Sequence, residues 1–158
     1  MKNLDVYLDK NRTLAQAQLE SKKQVLEQLA GLLAEGSDSK VQEEIYHALQ
    51  KREKVGSTAL GKGLAIPHAR IEGLKSPRIA LLSLNKPLDY DAPDDAAVDL
   101  FIGLLVPAGA NTLQMTLLQQ LVPLLRDPEY VAALRSAEDD EDLYETFASA
   151  LPQPHETT

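Results

Sequence analysis

Apolar residues recur along this chain at two spacings, and the switches between them mark out the elements. In residues 14–19, Ala15, Ala17 and Leu19 fall on one side and Gln16 and Gln18 on the other, the period-two pattern of a half-buried strand. Val25, Leu26, Leu29, Leu32 and Leu33 then recur at helical spacing until Gly36, with Ser21 and Gln24 as a capping-box pair ahead of them. Ser39 with Gln42 repeats the signal, and Val41, Ile45, Ala48 and Leu49 predict a second helix reaching about Lys54. From Gly56 to Gly63 the pattern lapses into what reads as a flexible loop. It is followed by apolar runs of strand length at 64–66, 79–84 and 98–106, bounded by Pro, Gly, Asn and Asp. The second and third runs are nearly continuous in apolar residues, which suits central strands covered on both faces.

Helical spacing returns with Leu113, Leu117, Leu121, Leu124 and Leu125, a stretch in which Pro123 removes the backbone bond to Gln119 and should kink or shorten the helix. Pro128 opens a further helix at its first turn, and Leu143, Tyr144 and Phe147 line the last one. Helices before and after a group of strands predict an α/β fold: a single-domain, three-layer α/β/α sandwich around a mixed β-sheet. Residues 1–150 are assigned to that domain. Residues 151–158, with little apolar area beyond Leu151, read as a mobile tail.

Composition narrows the function. The chain has 158 residues, 16 Lys+Arg against 24 Asp+Glu and no Cys. A formal charge of −8 disfavours nucleic-acid and anionic-membrane partners, because such binding relies on Lys and Arg displacing counterions. The absence of cysteine removes disulfide frameworks, thiolate metal sites and cysteine nucleophiles. No uninterrupted apolar stretch suits a bilayer span, and the first residues carry no apolar signal core, so a cytoplasmic protein without membrane insertion is expected.

Candidate chemistry concentrates in the middle of the chain. Residues 56–63, Gly-Ser-Thr-Ala-Leu-Gly-Lys-Gly, match a phosphate-binding G-x-x-x-x-G-K sequence except at the last position. There Gly63 replaces the hydroxyl that would hold Mg²⁺, and Pro67 forces the preceding residue out of helical geometry where a P-loop needs a helix. A nucleotide site is therefore rejected, and the glycines are explained by a tight turn. Of three histidines, His47 lies among charged helix neighbours and His155 in the tail. His68 stands apart. It ends an apolar strand, Pro67 fixes the backbone before it, and a glycine loop bearing Ser57 and Thr58 precedes it. On composition alone a partly buried structural histidine remains the simpler account, since neither metal-ligand spacing nor a Ser-His-Asp arrangement is present.

The segment 52–68, Arg-Glu-Lys-Val-Gly-Ser-Thr-Ala-Leu-Gly-Lys-Gly-Leu-Ala-Ile-Pro-His, resembles the active-site block of fructose/mannitol-type IIA domains of the bacterial phosphoenolpyruvate phosphotransferase system. Within them it is most similar to the nitrogen-regulatory (IIA-Ntr) branch. Pro87-Leu-Asp-Tyr-Asp-Ala92, Val98-Asp-Leu-Phe101, Leu104-Leu-Val-Pro107 and Asp142-Leu-Tyr144 extend the likeness over most of the chain. The resemblance implies that His68 accepts a phosphoryl group from an HPr-like (NPr) phosphocarrier protein, with Arg52 beside it and no cofactor or metal. It also implies an output through regulatory target proteins. Ser57, Thr58, Gly61 and Gly63 are the implied phosphate-binding positions. The family's second histidine is replaced at the best-matching position by Gln114, and Lys62 adds a charge within the glycine turn.

These residue types suit the chemistry. A neutral imidazole, with a reference pKa near ~6.5, presents a lone pair to phosphorus at neutral pH. Transfer between two histidines needs chiefly in-line positioning and stabilisation of the equatorial oxygens. Arg52 offers a charge-assisted fork, or alternatively only a solvated cation at a helix C-terminus. Two further readings stay open: a sugar-uptake IIA passing its phosphoryl group to a IIB partner, and a binding module with weakened transfer.

Overall fold

The nearly continuous apolar runs become the two longest strands of one sheet. In the computed structural model, residues 4–151 are described. The strands are β1 (Thr13–Ala17), β2 (Ala59–Gly61), β3 (Leu64–Ala65), β4 (His68–Ile71), β5 (Arg78–Leu88) and β6 (Val98–Pro107), and the helices are α1 (Lys22–Leu33), α2 (Ser39–Val55), α3 (Asn111–Leu124), α4 (Pro128–Ser136) and α5 (Asp140–Ser149). The sheet order is β1-β5-β6-β3-β2, with β4 also pairing β6. β5 and β6 are antiparallel, whereas β1 runs parallel to β5, and β3 and β4 run parallel to β6. The sheet is therefore mixed.

Strand alternation divides the core into two. Ile79 and Leu81 of β5 and Leu100, Ile102, Leu104 and Val106 of β6 face one way, against Leu117 and Leu121 of α3, Val131 and Leu134 of α4, and Leu143 and Phe147 of α5. Ala80, Leu82 and Leu84 with Phe101 and Leu105 face the other way, against Val25, Leu26, Leu29 and Leu33 of α1 and Ile45 and Leu49 of α2. The three-layer α/β/α arrangement is thus present, and strands buried on both faces account for the unbroken apolar runs.

Local signals hold with small shifts. Ser21 caps α1 by accepting from the Gln24 N–H, but the Gln24 side chain returns to the N–H of Glu20 and not to that of Ser21. Asp38, not Ser39, caps α2, accepting from Val41 N at 3.0 Å. The C-terminal carbonyls of α1 are answered from the sheet, where Arg78 donates to Leu33 O and Glu35 O at 3.0 and 2.6 Å. Pro123 lies in the last turn of α3, which ends one residue later. Two short 3₁₀ turns, Leu4–Tyr7 and Lys10–Arg12, precede β1 without a periodic signal; Arg12 is buried there and donates to Tyr7 O.

The supposed flexible loop is largely a hairpin: β2 pairs antiparallel with β3, and Lys62 and Gly63 turn between them with φ of +57° and +83°. Leu151, assigned by sequence to the tail, packs in the core at 4% exposure. The tail from Pro152 onward, with His155, lies outside the described residues. Among the described residues no helix is long and apolar enough to cross a membrane.

Candidate functional site

His68 does not end a strand as the sequence suggested; it begins one. The chain from Leu64 to Ile71 runs parallel to β6 in two stretches, Leu64–Ala65 against Leu100–Phe101 and then His68–Ile71 against Leu104–Pro107. Pro67, unable to donate to the ladder, falls in the gap, where its carbonyl still accepts from Leu104 N at 2.9 Å. β2 pairs only with β3, so the outer edge of β4 has no strand neighbour among the described residues. Ala69 belongs to the core under α1 and α2, so alternation directs His68 and Arg70 to the opposite face, the one α3 covers.

The ring is half-buried, and its Nδ1 lies 2.8 Å from Ile66 O. A carbonyl only accepts, so Nδ1 carries the hydrogen and Nε2 keeps its lone pair. Burial lowers the imidazole pKa from its ordinary value. The Ile66 bond opposes this, Arg52 and Arg70 push further down, and Glu53 pulls up.

The turn after α2 is held from beneath by Glu53. This carboxylate, buried at 8% exposure, accepts from Thr58 N at 3.2 Å and from the Thr58 hydroxyl, and pairs with Lys22 at 3.1 Å. The Lys22 ammonium in turn lies over the Tyr90 ring, 4.5 Å from its centroid. Thr58 O accepts from Ile66 N at 3.0 Å, and Ile66 O receives the His68 ring. Glu53, Thr58, Ile66 and His68 therefore form one hydrogen-bonded sequence from the end of α2 to the imidazole. Arg52 donates from Nη1 to Gly56 O at 2.8 Å, closing the C-terminal end of α2 and leaving its other N–H groups uncommitted at that contact.

The other positions named from sequence divide between this site and elsewhere. Ser57 Oγ accepts from Ala59 N at 3.1 Å, so its own proton is not used in that bond. Both Thr58 donors are taken by Glu53, which corrects the expectation that Thr58 is a free phosphate donor. Gly61, Lys62 and Gly63 form the far end of the hairpin: Lys62 N donates to Asp94, Lys62 O accepts from Arg135, and a Cβ on Gly63 would collide with the Arg135 guanidinium. These three residues serve the turn and are not gathered around the imidazole. Gln114 is half-buried in the first turn of α3. Arg70, one of the charges acting on His68, binds Asn111 at the start of that helix. Sequence reading missed Glu53 and Arg70; placing His68 at a strand start would have found Arg70, two positions on along the same face.

Comparison with known proteins agrees with this architecture. Residues 6–150 match the family described as "Phosphoenolpyruvate-dependent sugar phosphotransferase system, EIIA 2". The chain belongs to that family. It is 42% identical over 145 residues to a nitrogen regulatory protein of Pseudomonas aeruginosa, covering 92% of this chain and 94% of the relative. The crystal structure of the nitrogen regulatory protein IIA-Ntr from Neisseria meningitidis superposes with a TM-score of 0.82 at 30% identity, covering 90% of this chain and 97% of that one. An Escherichia coli phosphotransferase EIIABC component, described as specific for 2-O-alpha-mannosyl-D-glycerate, is 32% identical over 145 residues, but the match spans only 22% of its length. The chain is thus a phosphotransferase-system IIA protein, similar over nearly its full length to nitrogen regulatory members.

Proposed function

We propose that this protein is a phosphoryl-accepting regulator of the nitrogen-related phosphotransferase branch, phosphorylated on His68 by an HPr-like (NPr) phosphocarrier and contacting cytoplasmic target proteins according to its phosphorylation state. The observation that carries the reading is the Ile66–His68 contact, which leaves Nε2 as an unprotonated nucleophile on a half-buried ring beside two arginines. In the transfer, the N–P bond on the carrier histidine breaks and its electron pair stays with that histidine. The Nε2 lone pair of His68 forms the new N–P bond while Nδ1 keeps its proton. Arg52 and Arg70 balance the phosphoryl charge, and Ser57 supplies a neutral donor. No nucleotide, metal or other cofactor takes part in this scheme.

A sugar-uptake role is the second reading, favoured by the likeness to the EIIABC component. The near full-length match to the nitrogen regulatory protein weighs the other way. The test is a relay containing phosphoenolpyruvate, the enzyme I homologue and the phosphocarrier. One phosphoryl group, acid-labile and alkali-stable, is expected on His68. An unchanged intact mass while the carrier itself is phosphorylated, or labelling that survives His68→Ala, would overturn the proposal.

A further inference from the structure

The far end of the hairpin borders a feature that phosphoryl transfer does not use. Leu60, Gly61, Lys62 and Leu64 form one wall of a cleft of about 990 Å³, and Val122, Leu125 and Arg126 at the end of α3 with Val131, Ala132 and Arg135 of α4 form the other. His68 is not among its lining residues. The volume is at the upper end of the range of small-molecule sites, about 300–1,000 Å³. Leu64, Leu125 and Val131 are buried and make an apolar floor, while Leu60 is exposed at 44% on the rim.

The charges around this floor are unevenly answered. Arg135 is committed: its Nε donates to Asp99 at 2.8 Å and its Nη2 to Lys62 O at 2.6 Å. The Asp94 oxygens accept from Lys62 N and Ala96 N at 2.9 and 3.1 Å, and those backbone bonds hold its pKa below the usual carboxylate value. By contrast, the side-chain cations of Lys62 and Arg126 have no ion-pair or hydrogen-bond partner among the described residues. Arg135 and Asp94 clamp the hairpin tip from two sides, so the mouth is formed before anything enters, which limits the ordering entropy lost on binding.

We propose that this cleft binds a small amphipathic monoanion, its apolar body on Leu64, Leu125 and Val131 and its carboxylate or equivalent anionic group between Lys62 and Arg126. Apolar area supplies the attraction, and the two unpaired cations select the sign of the head group. A purely polar anion would leave the floor unused, and a cationic amphiphile would meet Lys62 and Arg126.

The test uses three probes with one apolar body, octanoate, n-octanol and octylammonium, titrated into the full chain and followed by methyl and amide NMR. Octanoate is expected to saturate with shifts at Leu60, Leu64, Val122 and Val131, and octylammonium to bind at least about tenfold more weakly. Arg126→Gln, an exposed change, should weaken octanoate severalfold and leave n-octanol unaffected. Ala132→Glu adds a carboxylate to the exposed wall and should repel octanoate while the amide spectrum stays folded. Absence of saturable octanoate binding, equal affinity for octanoate and octylammonium, shifts centred elsewhere, or wild-type affinity in both variants would each overturn the proposal. The readout needs no phosphoryl transfer, so its failure is independent of the role given to His68.

Discussion

The ring of His68 and the carbonyl of Ile66, two residues apart in sequence, are joined by a 2.8 Å contact that fixes the imidazole tautomer. Burial, the largest influence, and the neighbouring Arg52 and Arg70 lower the pKa of the ring, outweighing the Ile66 bond and Glu53. The neutral form with a bare Nε2 is therefore expected to persist below the ordinary histidine range. A ¹⁵N NMR titration should give a midpoint under ~6.5 with the Nδ1–H tautomer above it, and the phosphorylation rate should stay level from pH 8 to about 6.5 before falling. The sign for stability follows from linkage. The unfolded chain binds the proton more readily, so this histidine's contribution is complete above the unfolded pKa and is lost as pH falls through the lowered folded value. A midpoint at or above 6.5 would contradict the account.

Arg52 closes the end of α2 through Gly56 O and also acts on the His68 ring. Charged hydrogen bonds contribute about 1.5–3 kcal/mol, so Arg52→Ala should slow phosphorylation by about tenfold to a hundredfold. Loss of a partly exposed cap should cost stability only about 1 kcal/mol. Equal transfer rates in mutant and wild type, measured alongside unfolding curves, would leave Arg52 with the capping role alone.

Glu53 anchors the turn that carries Ser57 and Thr58, and its removal leaves Thr58 N, the Thr58 hydroxyl and Lys22 without their partner. Breaking a buried pair from one side costs on the order of 3 kcal/mol, so Glu53→Ala should lower the urea midpoint markedly. Glu53→Gln keeps an acceptor for Thr58 and should lose less. Identical midpoints for the two variants would show that the charge, and not the hydrogen bonds, is what holds the turn.

β6 carries a glycine where α1 approaches: a Cβ on Gly103 would lie 3.2 Å from a Leu29 methyl and 3.5 Å from a Leu33 methyl. Gly103→Val therefore overpacks the α1 side of the sheet. The expected cost is about 1–3 kcal/mol in chemical denaturation, with the His68 titration unchanged. A neutral or stabilising result would mean that α1 can retreat from the sheet at no cost.

How far the sequence could be read depended on the range of the interactions involved. The helices are announced by their periodicity and β5 and β6 by nearly continuous apolar runs, because burial on one or both faces leaves a local record. β4 left only a faint record: His68-Ala-Arg-Ile71 alternates polar and apolar over just four residues, and pairing with β6 makes it a strand. The same holds for the site. His68 and Arg52 were visible through the 52–68 block. The resemblance implies a phosphate contact for Thr58, whereas its N–H and hydroxyl donate to Glu53, a partner set by tertiary packing and not by local sequence. Lys62 precedes His68 by only six residues, yet the hairpin turn ties its backbone to Asp94 and Arg135, contacts that no local pattern announces.

Gln114 stands where the family's second histidine is expected. His68 lies on the sheet face covered by α3, Arg70 reaches from that face to Asn111, and Gln114 follows Asn111 by three residues, which puts the two on one side of the helix. An amide donates only a neutral hydrogen bond of about 0.5–1.5 kcal/mol, against about 1.5–3 for a charged donor. Replacing a protonated histidine by glutamine thus removes on the order of 1 kcal/mol from the phosphorylated state, a factor of roughly five to ten. Gln114→His should restore it where the new imidazole is charged, so phosphorylated His68 should form faster or last longer below about pH 6.5, with the gain fading as pH rises. Transfer rates and phosphohistidine half-lives for both proteins across pH 5.5–8 decide the matter. Parallel curves would show that position 114 takes no part, and Arg70, which acts on the ring and binds Asn111 at the start of α3, would then be the residue to replace next.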